Sequence, residues 1–381
     1  MIHYFNPGHE TAVWTDSPYY QPPASVVKIQ EDLAFLPFWY ADSQDVIFLP
    51  RPLLYPFEKI VENRNIRPFV YSSPDIDISL LNDQKVEFWG LSRQAICFFT
   101  KYAEQSGSSF NLPEWNDAYR ELCSREFAAE CLSALLMDIP EIPNDILPLF
   151  CENLSEIEQL NTLSSCKLLI KSPYSSSGRG LLWLELRKLS RFSRQILQGM
   201  LNRQTKVSVE RVLDKVLDFS MHFTSNEFSG YSIFRTNTRG AYEKTWLASQ
   251  DKVELKLSSY IDLSLLAKVK TFLEKYIKEK IRPYYQGNIG IDMMIYRSGV
   301  NYFLHPCVEI NLRKSMGFLS LRLFHNHLHP DMEGYFSVVY NSDANAEFPV
   351  FPGNGCFKSG VLYDLCPINP ATKYRALLDL T

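Results

Sequence analysis

The sequence predicts an α/β (α+β) fold, and two observations carry that prediction. Short apolar segments typical of strands alternate with a helical segment over residues 1–115. Further strand-like segments follow later in the chain, around a polar loop rich in serine and glycine. Strands that alternate with helices form open sheets, and ligands bind beyond the carboxyl ends of their strands. We therefore expect an N-terminal open α/β domain followed by a larger part of mixed helix and sheet.

The elements of the N-terminal part can be assigned in order. Strands are predicted at 2–5, 45–49, 68–71 and 85–89, and helices at 31–41 and 92–105. The first strand runs into Asn6-Pro7-Gly8-His9-Glu10, the NPGHE loop. Because loops after strands carry ligands in such sheets, NPGHE is a candidate substrate loop. A tight turn with polar surface residues explains the same letters equally well.

The remaining elements follow after residue 110. Helical periodicity predicts helices at 119–137, which Pro140 ends, and at 263–280. Apolar runs predict strands at 167–171, 180–185, 206–212 and 217–224, and a β-meander at 289–296, 302–304 and 307–311. The tail from 329 to 381 is rich in proline, glycine and asparagine, and its pattern predicts no architecture.

Composition favours a globular cytoplasmic protein. Hydrophobic residues make up 46% and charged residues 22%, and the net charge of -4 lacks the basic excess of a nucleic-acid surface. The first residues do not have the form of a signal peptide, and apolar runs fall short of the roughly 20 residues that span a bilayer. Eight cysteines are scattered without a C-x-x-C pair, which indicates free thiols. We expect neither a nucleic-acid nor a membrane partner.

The segment KSPYSSSGRG, residues 171–180, is the first candidate site. Small residues let backbone N–H groups approach a phosphate closely, and Lys171 supplies a fixed positive charge. The spacing of a P-loop is absent. The alternative interpretation is a plain connection between the two strands of a β-hairpin.

The second candidate site combines two acidic strands. Asp292 lies within an apolar strand, and period two places Glu309, Asn311 and Arg313 on one face of another. A buried carboxylate requires a partner, and oxygen ligands from neighbouring strands suit Mg²⁺. The alternative is a salt-bridged strand surface that faces solvent.

Together these segments resemble the ATP-grasp superfamily. The resemblance rests on the Lys-x-Pro strand end with its loop to Gly180, on Glu210 and Asp218, and on the G-x-D-M and E-I-N-x-R motifs that start at Gly290 and Glu309. It spans roughly residues 119–320. It implies an ATP-grasp fold with an N-terminal pre-ATP-grasp domain at 1–115, a small lid subdomain at 116–205, and a large subdomain with a C-terminal extension at 206–381.

The resemblance also implies roles for individual residues. Lys171 would reach the nucleotide phosphates and the adenine edge, and Asp218 would accept from the ribose hydroxyls. Arg313 would be catalytic, stabilising charge on the transferred phosphoryl group. The flexible lid would consist of Ser175, Ser176, Ser177 and Gly178. The hinge that reads adenine would be Glu210, Arg211 and Val212, and the Mg²⁺ ligands would be Asp292, Glu309 and Asn311.

One departure from the family pattern concerns a phosphate-binding lysine, whose place Arg125 takes here. Arginine can clamp phosphate with two parallel hydrogen bonds. The resemblance implies an ATP- and Mg²⁺-dependent ligase that joins a small-molecule carboxylate to an amine through an acyl-phosphate. A kinase on the same scaffold and a nucleotide-binding protein without catalysis remain alternatives. The oligomeric state stays open, a homodimer included.

Overall fold

The computed structural model describes residues 1–49, 81–175, 178–225, 227–340, 357–368 and 370–381, together with the backbone of 67–70. These residues form two compact units. The first unit contains Met1–Asn116, Glu243–Lys252 and Arg313–Thr381, and the second contains Asp117–Tyr242 and Val253–Leu312. The predicted domain boundaries after residues 115 and 205 stay a prediction.

Strands are distributed along the whole described chain. In chain order they are β1 (Ile2–Tyr4), β2 (Val46–Leu49), β3 (Arg67–Val70), β4 (Gln84–Phe88), β5 (Phe110–Asn111), β6 (Leu149–Cys151), β7 (Leu168–Lys171), β8 (Leu181–Leu184), β9 (Val207–Arg211), β10 (Asp214–Thr224), β11 (Glu227–Thr236), β12 (Tyr242–Leu247), β13 (Ile289–Ser298), β14 (Asn301–Asn311), β15 (Gly334–Tyr340), β16 (Leu362–Asp364) and β17 (Tyr374–Leu380).

Helices connect many of these strands. In chain order they are α1 (His9–Thr15), α2 (Ala24–Leu33), α3 (Arg93–Ser106), α4 (Asp117–Leu122), α5 (Arg125–Asp138), α6 (Leu154–Leu163), α7 (Arg191–Gln204), α8 (Gln250–Ser258), α9 (Leu263–Tyr276) and α10 (Met316–His327). Short 3-10 turns lie at Leu36–Trp39 and Asn144–Ile146, and α9 continues into one wider turn at Ile277–Ile281. No helix in the described part of the chain is both long and apolar enough to cross a bilayer.

The N-terminal sheet in the first unit has the predicted open form. Its five strands run in the order β3-β2-β1-β4-β5, and the neighbouring strands pair in parallel. Both neighbours of β1 are therefore later strands, which places the carboxyl end of β1 at the point where strand order reverses. Ligands bind at that point in open α/β sheets. The NPGHE segment follows β1 after Phe5, and its last two residues, His9 and Glu10, are the first residues of α1.

The C-terminal tail contributes strands to the first unit, although its pattern predicted none. Strand β17 pairs antiparallel with β15 and with β16, and β15 pairs antiparallel with β12. A buried ion pair between Arg375 and Asp364 joins β17 to β16. Single short strands spread over a proline-rich tail give too little periodicity to be recognised from sequence.

The second unit contains two antiparallel strand groups. Strands β14, β13, β10 and β11 pair in that order, and β6, β9, β7 and β8 form a four-stranded sheet. Helix α5 packs on β14. The loop between Lys171 and Leu181 joins β7 and β8, so it is the connection of a β-hairpin.

Four predicted elements are wrong in detail, each for a local reason. The helix expected at 31–41 is α2 followed by a 3-10 turn, because Pro37 cannot occupy a helix interior. The helix expected at 119–137 is two helices, since the Ser124 hydroxyl accepts from the Phe127 amide and starts α5 afresh. The strands expected at 302–304 and 307–311 are one strand with a bulge around Pro306, which has no N–H to donate.

Candidate functional site

A buried ion pair joins the ends of β7 and β9 in the second unit. The Lys171 ammonium lies 2.5 Å from the Glu210 carboxylate, and the two side chains are 8% and 16% exposed. Ser208 donates to the other Glu210 oxygen at 3.2 Å. Burial alone would raise the pKa of the Glu210 carboxyl, but Lys171 and Arg125 outweigh it and lower that pKa. Glu210 is therefore an anion beside Lys171, the lysine that the resemblance implies for the nucleotide.

Arg125 links the serine loop to an acidic strand. It is the first residue of α5, and its side chain is 9% exposed. Its Nε donates to the Ser172 carbonyl at 3.1 Å, and its Nη2 lies 3.4 Å from the Ser175 hydroxyl and 3.2 Å from the Glu309 carboxylate. A guanidinium with several donors can hold these groups together, which a single ammonium cannot do equally well.

The three predicted metal ligands lie on the adjacent strands β13 and β14. Asp292 and Glu309 are directly opposite each other in the strand register. Asn311 donates to Asp292 Oδ2 at 3.0 Å, and the Ser220 hydroxyl donates to Asp292 Oδ1 at 2.6 Å. The structure thus brings the three predicted side chains to one patch of the sheet, and it adds Ser220 from β10.

These residues fit a hard divalent cation by their chemistry. Cross-strand partners have Cβ atoms about 5 Å apart, so two carboxylates and an amide can present oxygen atoms to one ion. Mg²⁺ takes one or two carboxylates and completes its shell with water and phosphate oxygens. Among the described residues, no three His, Cys, Asp or Glu side chains form a metal cluster. The predicted set depends on the amide of Asn311 as its third member.

A cavity lies beside these groups within the second unit. The empty space between its residues is about 270 Å³, open solvent included. One side is apolar, with Ala128 and Leu132 of α5, and the other side is polar, with Ser208, Glu210 and His305. Arg125 also lines it. The enclosed part of this space has room for roughly one water molecule, so its volume alone does not mark it as a ligand site.

Sequence reasoning missed the residues of this cavity that precede Glu309 on the same strand. The polar alternation that predicted Glu309 and Asn311 extends backwards to Cys307 and His305, and both line the cavity. This signal was available in the sequence. Val308 lines the cavity as well, although strict alternation would place it on the opposite face of the strand. The bulge around Pro306 interrupts the alternation at this point.

The described part of the serine loop is held by close backbone packing. Ser175 is buried, and Ser176 and Ser177 lie outside the described residues. Gly178 has a φ of +74°, and an added Cβ would lie 2.7 Å from the Ala241 nitrogen. Only glycine therefore adopts this backbone conformation and also lets the loop pack this closely on the turn at 237–241.

Replacing Gly178 with alanine is expected to destabilise the protein by about 1–3 kcal/mol more than replacing Gly107. Gly107 has a similar φ of +65° with nothing within 4 Å of an added Cβ, so its variant reports the conformational cost alone. Urea unfolding of Gly178→Ala and Gly107→Ala measures the difference. Equal losses would show that the turn does not constrain the loop.

The other predicted nucleotide-binding residues are spread along β9 and β10. The Asp218 carboxylate is bound by Lys215 at 2.5 Å and by the Thr236 hydroxyl at 3.0 Å. Arg211 pairs with Asp145 at the surface, and the Val212 amide donates to the Lys167 carbonyl. None of these three residues lines the cavity, whereas Glu210 does.

Arg313 belongs to the first unit, and it pairs there with the NPGHE loop. Strand β14 ends at Asn311, so the face that carries Glu309 and Asn311 stops before Arg313. The Arg313 Nε donates to Glu10 Oε1 at 2.5 Å, and the guanidinium also donates to the Lys314 carbonyl. Burial alone would raise the pKa of the Glu10 carboxyl, but Arg313 and His9 lower it to about 2. The end of NPGHE is thus a buried, charged site, since His9 and Glu10 are both buried and form the first turn of α1.

Glu10→Gln is expected to lower the free energy of unfolding by about 3 kcal/mol at pH 7, the order set by a shift from 4.5 to about 2. Because the folded pKa is depressed, this stabilisation is present above the unfolded pKa and is lost as pH falls toward 2. Urea unfolding at pH 7 and pH 3 measures the difference in free energy of unfolding between wild type and Glu10→Gln, and this difference should be less than half as large at pH 3. Glu104→Gln, at an exposed position of α3, is the control, and its difference from wild type should be the same at both pH values.

Comparison with known proteins finds similarity in structure only. No protein family and no curated protein matches the sequence. Biotin carboxylase from Campylobacter jejuni, solved as a β-γ-ATP complex, aligns with a TM-score of 0.54 at 8% identity, covering 100% of this chain and 87% of that one. The biotin carboxylase domain of the Hydrogenobacter thermophilus 2-oxoglutarate carboxylase, solved with MgADP and bicarbonate, aligns with a TM-score of 0.50 at 12% identity, covering 88% and 80%.

These alignments define the class of fold to which the chain belongs. An open parallel sheet is followed in the chain by one antiparallel sheet and by a second antiparallel group of longer strands that carries Asp292 and Glu309. The chain has the ATP-grasp fold. The fold predicted from the sequence motifs is confirmed.

Proposed function

We propose that this protein is an ATP- and Mg²⁺-dependent ligase that joins a carboxylate to an amine through an acyl-phosphate. One observation carries the proposal: on an ATP-grasp fold, the second unit brings Arg125, Lys171 and Glu210 together with the acidic strands of Asp292 and Glu309. Cations for phosphate and oxygens for a metal are the two requirements of phosphoryl transfer. ATP would be the phosphoryl donor, and a small-molecule acid and amine would be the substrates.

The protein side chains would mainly position groups and neutralise charge. Lys171 and Arg125 would bind phosphate oxygens, and the oxygens of Asp292, Glu309 and Asn311 would hold Mg²⁺. Bound Mg²⁺ supplies electrostatic stabilisation of the phosphate oxygens. Arg313 is proposed to stabilise the charge on the transferred group, and Glu10 would orient its guanidinium. Ser175, Gly178 and the intervening serines are proposed as the lid that excludes water.

The reaction would proceed in two displacements. A carboxylate oxygen of the acid attacks the γ-phosphorus, the bond between the γ-phosphorus and the bridging oxygen breaks, and ADP leaves. The amine nitrogen then attacks the acyl carbon of the mixed anhydride, inorganic phosphate leaves, and the nitrogen loses a proton. Because a mixed anhydride hydrolyses readily, a closed lid over this step has a direct chemical purpose.

The test is ADP release from the purified protein with ATP, Mg²⁺ and pools of small acids and amines. Release that requires both a carboxylate and an amine supports the ligase. A phosphorylated product formed without any amine would contradict the ligase proposal and indicate a kinase.

A second candidate function, nucleotide binding without catalysis, is favoured by one specific contact. Arg125 replaces a lysine of the family pattern, and its guanidinium already pairs with Glu309, one of the proposed metal ligands. If that pair persists, it holds one of the two Glu309 carboxylate oxygens and leaves Glu309 a weaker metal ligand. ATP binding in calorimetry with no turnover against any acid and amine would support this candidate.

A further inference from the structure

Ser220 is a buried hydroxyl beside the proposed metal ligands, and the proposed function assigns it no role. It lies on β10 directly opposite Asp292 of β13, and it is 4% exposed. Its hydroxyl donates to Asp292 Oδ1 at 2.6 Å. A hydroxyl at this distance from a carboxylate forms a charge-assisted hydrogen bond, roughly twice as strong as a bond between neutral groups. Because serine has a single proton to donate, Ser220 spends its donor on this carboxylate.

Ser220 belongs to a row of side chains that crosses four strands. The register pairs Ser232 of β11 with Ser220, Ser220 with Asp292, and Asp292 with Glu309 of β14. Side chains at paired positions lie on the same face of a sheet, with Cβ atoms about 5 Å apart. The row therefore places two hydroxyls and two carboxylates side by side, on the face that carries the proposed metal ligands.

The two carboxylates of this row repel each other when no cation lies between them. Like charges directly opposite each other on neighbouring strands are destabilising. Arg125 Nη2 lies 3.2 Å from Glu309 and offsets part of this repulsion. Ser220 and Asn311 donate to the two different oxygens of Asp292, and they come from the strands on either side of β13. The Asp292 carboxylate is thus held from both sides, and the loss of Ser220 would let it turn away from Glu309.

Ser232 differs from Ser220 in the group that its hydroxyl binds. It is 2% exposed, and its hydroxyl lies 2.8 Å from Nε2 of His222, which is not a proposed metal ligand. The two serines share their residue type, their burial and their place in the row. A role in sheet stability alone would make them equivalent, whereas a role in metal binding would distinguish Ser220.

We propose that Ser220 is a positioning residue that holds Asp292 in the orientation in which it binds the divalent cation. This inference rests on the proposed function, because it requires the cation of that proposal. Ser220 would not contact the metal itself and would act through Asp292. A ligand that is already held in its bound orientation binds more tightly, because less ordering takes place on binding.

The experiment measures metal affinity directly, with Mn²⁺ as the probe. Mn²⁺ prefers the same oxygen ligands as Mg²⁺, and its free ion gives an electron paramagnetic resonance signal. The full chain is titrated with Mn²⁺ alone and with ADP, and ADP without protein is the blank. Ser220→Ala should weaken Mn²⁺ binding at least about tenfold, the order expected when a metal ligand loses a hydrogen-bond partner. Ser220→Thr keeps the hydroxyl and should restore most of the affinity.

Ser232→Ala is the matched control. It also loses a buried hydrogen bond, so urea unfolding should show a similar loss of stability in Ser232→Ala and Ser220→Ala. Its Mn²⁺ affinity should nevertheless equal that of wild type. In turnover, Ser220→Ala should raise the Mg²⁺ concentration for half-maximal ADP release about tenfold, and saturating Mg²⁺ should restore most of the maximal rate.

The outcomes separate this inference from the proposed function. Equal Mn²⁺ affinity in wild type and Ser220→Ala, or an equal loss of affinity in Ser220→Ala and Ser232→Ala, overturns the role of Ser220 and leaves the ligase proposal intact. A wild type that binds no Mn²⁺, with or without ADP, overturns both. Mn²⁺ binding that depends on Ser220, in a chain without turnover, supports the inference and contradicts the ligase. If Ser220→Ala fails to fold, Ser220→Cys decides, because its thiol is a weak donor of similar shape, and wild-type affinity in that variant overturns the inference.

Discussion

Glu309→Ala is expected to reduce Mg²⁺-dependent ADP release by at least about 10²-fold, because it removes a group that stabilises charge in the transition state through the metal. Glu309 faces Asp292 across the two strands and pairs with Arg125. Its loss removes one of two proposed carboxylate ligands and leaves a guanidinium that is 9% exposed without its carboxylate. ADP release under saturating ATP, with Mg²⁺ varied, measures both the rate and the metal requirement.

Two further variants distinguish metal binding from folding. Glu309→Gln preserves the size and a hydrogen-bond acceptor for Arg125, so it should fold normally and still lose activity. Glu185→Gln alters an exposed carboxylate that pairs with Lys167 at the surface, and it should retain wild-type rates. Unchanged turnover in Glu309→Gln at every Mg²⁺ concentration would contradict the metal assignment.

Lys171→Met is expected to lower the free energy of unfolding by about 3–5 kcal/mol and to abolish detectable nucleotide binding. The stability loss arises because Glu210 would remain buried as a charge without its ammonium partner. The binding loss arises because the proposed phosphate contact disappears. Urea unfolding and calorimetry with ATP and Mg²⁺ measure the two effects separately.

The double variant Lys171→Met, Glu210→Gln gives a sharper result. Removing both charges leaves no uncompensated ion, so most of the lost stability should return. Nucleotide binding should not return, because the cation is still missing. Recovery of binding in the double variant would mean that Lys171 supports the cavity and does not contact the nucleotide.

The fold could be predicted from the sequence where the hydrophobic periodicity of a segment agrees with its place in the order of strands and helices. Strands such as β7 and β13 lie within one or two residues of their predicted positions, because each is a short apolar run bounded by turn residues. The break between α4 and α5 at Ser124 is not predicted, because a single N-cap residue does not change the hydrophobic periodicity around it. The strands of the tail depend on pairing with distant segments, which local pattern does not contain.

The residues of the candidate site are likewise of two kinds, those that the sequence pattern indicates and those that it does not. Asp292, Glu309 and Asn311 stand out because carboxylates and an amide interrupt apolar strands, and the structure brings them together. His305 does not stand out, because its burial in the cavity wall depends on the packing of α5 against β14. The contact of Glu10 with Arg313 joins residues far apart in the chain, so no local pattern could reveal it.

The two ion pairs at the cavity have a consequence for how a charged ligand would bind. Arg125 and Lys171 are each already neutralised by a carboxylate, Glu309 and Glu210 respectively. A polyphosphate that arrives with a divalent cation would exchange partners with these pairs: phosphate takes the protein cations while the metal takes carboxylate. The exchange would take place at side chains that are between 8% and 25% exposed. Affinity for the metal–nucleotide complex should therefore vary only weakly with ionic strength, since buried pairs are screened little by salt.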